Sequence, residues 1–120
     1  MIDLKSALYA HLKNVYHREA PPDASMPYLI YKLEIYDDGQ EFQRVILDVD
    51  GWDAPADGDC IPLENLMEET NKLLDKVTIS GTSFAATFYL DRKLTIDDPD
   101  VTIERRRYTY EGRLFKFERS

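Results

Sequence analysis

The stretch that most constrains this chain runs from Pro27 to Trp52, PYLIYKLEIYDDGQEFQRVILDVDGW. Two runs of alternating apolar and polar residues flank Asp38-Gly39. That dipeptide suits a two-residue type I′ hairpin, because both turn positions need φ > 0. The alternation predicts one strand from about Tyr28 to Tyr36 and a second from about Glu41 to Trp52. Leu29, Tyr31, Leu33 and Ile35 then share a face with Val45, Leu47 and Val49, and that face needs a cover. The reverse face carries Tyr28, Ile30, Lys32, Glu34 and Tyr36 beside Arg44, Ile46, Asp48, Asp50 and Trp52. A sheet face that is neither dry nor fully polar has the composition of a subunit interface.

Helical periodicity supplies the cover. Asp3 is placed to cap a first helix whose stripe is Leu4, Ala7, Leu8, Leu12 and Val15. Val15 and Tyr16 can leave it as a short extended piece, and Pro21, Pro22 and Pro27 hold the following segment in a surface loop. A second helix is expected from about Pro62 to Val77, with Leu63, Leu66, Met67, Thr70, Leu73, Leu74 and Val77 on one side. Pro62 suits its first turn and Glu64 its positive end. Ser83 to Leu94 alternates as a strand, TIDDPD (residues 95–100) turns the chain, and a last strand runs from near Val101 to at least Tyr110. Gly112 is expected to bulge that strand as it continues through Leu114, Phe115 and Phe117. The expected architecture is one α+β domain over residues 1–120. Two helices pack on a mainly antiparallel sheet in the order α-β-β-α-β-β, with a long central hairpin.

The 120 residues carry a net charge of −8, unevenly spread. Residues 1–100 hold 9 Lys/Arg against 20 Asp/Glu, and residues 101–120 hold 6 against 3. An acidic body with a basic final strand argues against nucleic-acid binding by the whole surface, and lets one end of a subunit meet the acidic part of another. A single cysteine, Cys60, rules out an internal disulfide. No apolar run approaches the roughly 18–20 residues of a membrane span, and the amphipathic N-terminus has no export-signal pattern. The expectation is a protein made in the cytosol.

No catalytic, cofactor-binding or metal-binding residues are assigned. Asp48 and Asp50 share a strand face, as a Mg²⁺ or Ca²⁺ pair would, but Trp52 and Asp53 break the EF-hand pattern, so a solvated strand face is the preferred reading. His11 and His17 are six apart and cannot ligate from one helix face. Ser80-Gly81 lacks the nucleophile-elbow pattern, and every glycine is isolated, so no phosphate loop is present. The segment Glu104 to Arg113 remains. Arg105 and Arg107 share one strand face, while Arg106 joins Tyr108 and Tyr110 on the other. Subunit contact ranks first for it, edge protection second and nucleic-acid contact third. The candidate interface is Tyr28, Ile30, Tyr36, Arg44, Ile46, Trp52, Arg105, Arg106, Arg107, Tyr108, Tyr110 and Arg113.

The N-terminal amphipathic helix, Val15-Tyr16, the loop APPDASMPYLIYKL with Ala20-Pro21 and Met26-Pro27-Tyr28-Leu29, the long hairpin, the second helix and the Arg- and Tyr-rich ending together resemble the tail completion, or tail terminator, proteins of long-tailed phages and prophages. The likeness spans most of the chain, and its motifs are structural. It implies a non-enzymatic virion protein, assembled in the host cytoplasm as a homo-oligomeric ring of six at the head-proximal end of the tail tube. Its partners would be the tail tube protein and the head connector, with DNA passing through the lumen without specific binding. An acidic wall would not trap phosphates in transit. A monomeric bacterial α+β module for a small ligand or a single protein partner is the alternative, and a metal nuclease using Asp48 and Asp50 is the third reading.

Overall fold

The computed structural model of the chain describes residues 4, 7–8, 15–17, 26–37, 42–81 and 83–116. The strands are β1 (Val15–His17), β2 (Tyr28–Tyr36), β3 (Gln43–Asp53), β4 (Val77–Ser80), β5 (Phe84–Ile96) and β6 (Glu104–Lys116), and helix α1 (Ile61–Leu74) lies between β3 and β4. All six strands form one sheet in the order β1-β2-β3-β6-β5-β4. Neighbours from β2 to β4 pair antiparallel, and only β1 is parallel to its neighbour.

The expected α+β fold of two helices in the order α-β-β-α-β-β is therefore corrected. The described chain is mostly β, with three strands on either side of one continuous helix. Of the expected first helix, Leu4, Ala7 and Leu8 are described; they are helical, and Leu4 and Leu8 are buried in the core. Val15, the last residue of the expected stripe, opens β1 instead. The rest of that helix, its Asp3 cap included, lies outside the described residues, as does most of the proline loop.

Two short strands account for the misreading. β1 falls where Val15 and Tyr16 are expected to leave the helix as an extended piece, but at three residues it is too short to show a period of two and announce a place in the sheet. β4 hides in the helical pattern, because Val77 continues the stripe of Leu73 and Leu74. The backbone stops the helix first: Asp75 is extended and Lys76 takes φ 63°. The Lys76 N–H then bonds the Phe88 carbonyl at 2.7 Å, which starts the β4–β5 pairing.

The hairpin register pairs Leu33 with Leu47 and Ile35 with Val45, so the two runs share a face as expected. It also pairs Tyr36 with Arg44. A two-residue turn at Asp38-Gly39 would pair Tyr36 with Glu41, so the connection is longer than a tight I′ turn; Asp38 and Gly39 themselves lie outside the described residues.

Gly112 does not bulge β6, whose pairing with β3 runs without a break from Glu104 to Leu114. The irregularity falls in β5, between Leu90 and Arg92. Gly112 serves close approach instead, since a Cβ there would lie 2.6 Å from the Thr87 carbonyl oxygen.

One sheet face carries the core. Leu29, Tyr31, Val45, Leu47, Val49, Phe84, Ala86, Phe88, Tyr110 and Leu114 pack beneath Leu63, Met67 and Leu74 of α1. Gly51 makes room for the helix, because a Cβ there would meet Met67 Sδ at 2.5 Å and Leu63 Cδ1 at 2.8 Å.

Candidate assembly surface

The twelve residues of the candidate interface divide between two faces. Arg106, Tyr108 and Tyr110 lie on the helix side and are spent on α1. Tyr108 Oη donates to Glu68 Oε1 at 2.7 Å, Tyr110 Oη donates to Asn71 Oδ1 at 2.9 Å, and Arg106 reaches Glu64 and Glu104 at 3.4 Å each. Burial pushes both phenols well above their ordinary range. The Tyr108 hydroxyl, with Lys93 behind it, holds the Glu68 carboxyl below the usual carboxylate range. Burial works against the Arg106 charge, yet its bonds to Glu64 and Glu104 leave the guanidinium more firmly protonated. These three residues lock helix to sheet.

The other nine share the face away from the helix, where the register sets them in cross-strand rows. Tyr28, Trp52 and Arg105 form the row at one end, with the Arg105 guanidinium 3.8 Å above the Trp52 ring and 3.7 Å from Asp98. Ile30, Asp50 and Arg107 form the next. Arg107 Nε and Nη2 donate to the two Asp50 oxygens at 2.6 and 3.1 Å, and this fork raises the arginine's proton affinity. The Asp50 side chain is only 6% exposed. Thr109 Oγ1 donates to Asp48 Oδ1 at 2.7 Å in the third row. The carboxylate pair weighed as a metal site is thus engaged across the strand, and among the described residues no three His, Cys, Asp or Glu are grouped to hold a metal ion.

Ile46 sits half-buried opposite Glu34 and Glu111 in the fourth row. Tyr36, Arg44 and Arg113 form the fifth, at the far end of the face. Arg44 lies 5.2 Å over the Tyr36 ring and 3.8 Å from Glu111, and Arg113 lies 4.8 Å over the Phe42 ring. Tyr36 donates to Glu34, which pushes its phenol upward. A groove of about 720 Å³ opens here, lined by Phe42, Arg44, Thr87, Tyr89, Arg113 and Phe115 among others. Tyr89 is 54% exposed and Phe115 40%. Sequence reasoning missed Phe42, Tyr89 and Phe115. Strand alternation does put Tyr89 and Phe115 opposite the core residues, and that is the signal that finds them.

No helix of the described residues is long and apolar enough to cross a membrane. No family model and no curated protein matches the chain. Its fold is similar to that of a chain in a solved structure titled "Virion of native gene transfer agent (GTA) particle". The TM-score is 0.75 at 11% sequence identity, covering 92% of this chain and 93% of that one. The likeness extends over nearly the full length of both, so the mostly β architecture is a shared fold.

Proposed function

We propose that this chain is a structural virion or prophage protein without enzymatic activity, which caps the tail tube and joins it to the head connector as a ring of six copies. The observation that carries the reading is the fold match, over nearly the whole of both chains, to a chain of a gene transfer agent virion particle. The resemblance of the sequence to tail terminator proteins agrees with it and narrows it to the tail–head junction. The acidic body supports a lumen through which DNA slides without being held. The engagement of Asp48 by Thr109 and of Asp50 by Arg107 favours a structural part for both over nuclease chemistry.

The test is electron microscopy of the purified chain at high concentration, with and without tail tube protein, together with antibody labelling of particles. Rings, and label at the tail–head junction, are the expected result. Monomers under both conditions and unlabelled particles would overturn the reading.

A further inference from the structure

Resting on that reading of a self-assembling ring, we infer that the groove at the Tyr36–Arg44–Arg113 end is the socket for the acidic end of a neighbouring copy, making a head-to-tail contact. The two ends are chemically unlike. At the far end of the sheet the β3–α1 and β5–β6 connections leave side by side, since Asp53 pairs with Glu104 and Trp52 with Arg105. Residues 54–60 and 97–103 hold Asp57, Asp59, Asp97, Asp98 and Asp100, with no Lys or Arg in either segment. Asp98 is held by Arg105, and Asp59 and Asp100 are turned into their own loops, where they accept backbone N–H groups. Asp97 is exposed and has no ion pair among the described residues, and Asp57 makes only one bond, within its loop.

The groove end carries the cations: Arg44 and Arg113 line it with Glu111, and Glu111 is taken up by Arg44 at 3.8 Å, which leaves the Arg113 charge unmatched among the described residues. Arg113 is exposed and stacks on Phe42, with no carboxylate partner among the described residues. Tyr89 and Phe115 line the groove with it, and Tyr36 lies beyond Arg44 in the same cross-strand row; all three are 40% exposed or more. Arginine framed by aromatic rings is the composition of a binding hot spot, and an Asp-rich loop is what its fork accepts. The other arginines of the last strand are already matched: Arg105 to Asp98, Arg106 to Glu64 and Glu104, Arg107 to Asp50. The molecule measures 56 × 26 × 23 Å, with socket and acidic loops at opposite ends of the sheet, so one copy cannot satisfy itself. A contact between unlike ends is heterologous, and it closes into a ring when the rotation per copy allows.

Charge reversal tests this. Arg113→Glu and the double change Asp57→Lys/Asp97→Lys should each weaken self-association roughly tenfold to a hundredfold by sedimentation, because like charges then face one another at the contact. Circular dichroism checks that both still fold. Mixing the two variants, or placing all three changes in one chain, should restore assembly, since every contact then pairs opposite charges again. Emission from Trp52, the single tryptophan, should shift with assembly and stay still in each reversed variant alone. Reversed variants that assemble as the wild type does would overturn the contact and leave the ring reading standing. A wild-type chain that stays monomeric would overturn both.

Discussion

At the residue scale, the arginines of the last strand separate by what each meets. Arg107 is the most tightly held, its fork closed on a carboxylate that is almost wholly buried. Removing Asp50 strands the guanidinium. Asp50→Ala should therefore cost about 2 kcal/mol in urea unfolding, less than a fully buried pair would, because Arg107 is partly exposed. Asp50→Ala/Arg107→Met should recover most of the loss, and an uncompensated double variant would show that the pair is not the source. The tyrosines give a second test. Tyr108 and Tyr110 keep their protons longer in the folded chain than in the unfolded one, so the stability they contribute is complete below about pH 10. It declines as pH rises from there toward their folded values. In an ultraviolet titration of the eight tyrosines, a late-titrating fraction should vanish only when the protein unfolds, and Tyr110→Phe should make it smaller.

At the element scale, two glycines allow close approach, Gly112 between neighbouring strands and Gly51 between sheet and helix. Gly112 brings β6 against β5 so closely that an added methyl meets backbone, which has nowhere to go. Gly51 faces the side chains of Met67 and Leu63, whose outer atoms can shift where backbone cannot. Gly112→Ala should therefore cost about 2 kcal/mol by thermal or urea unfolding, and Gly51→Ala under about 1 kcal/mol. Equal costs would mean that the helix is held as rigidly as the strand. The faces of the central hairpin were legible because they alternate over nine residues in β2 and eleven in β3. Its register was not, since a two-residue turn at Asp38-Gly39 pairs Tyr36 with Glu41 and the sheet pairs it with Arg44. Of the short strands, β1 was legible only as an extended piece at Val15 and Tyr16, with no period to show what it pairs with, and β4 was not, because it begins on a residue that also fits the helical stripe. The end of α1 was set by backbone geometry at Asp75 and Lys76, which no side-chain pattern announces.

At the scale of the whole molecule, charge and shape act together. The acidic segments and the aromatic, arginine-bearing groove occupy opposite ends of one elongated sheet. A contact built on rim charges is screened by salt, so assembly through it should weaken as ionic strength rises. The fold is shared with the gene transfer agent virion chain at 11% identity, and a sheet with a covering helix tolerates such divergence because alternation of apolar and polar residues, more than particular side chains, specifies it.

By itself the sequence determined which residues alternate, which face of the central hairpin would meet the core, though not that this face opens to solvent at Ile35, and that the last strand would carry the cations. Those are properties of neighbours along the chain, and a period of two or of 3.6 residues records them directly. Only the tertiary structure decided how the cations are spent. Alternation separates Arg106 from Arg105 and Arg107 by face and says nothing of their partners, yet each meets acids brought by a different segment: Asp98 from the β5–β6 connection, Glu64 from the helix and Asp50 from β3. The exposed Arg113 is distinguished from them only by the absence of an acid on the strands beside it that is within reach. Pairing across a sheet depends on register between distant segments, and a one-residue slip would have changed every partner.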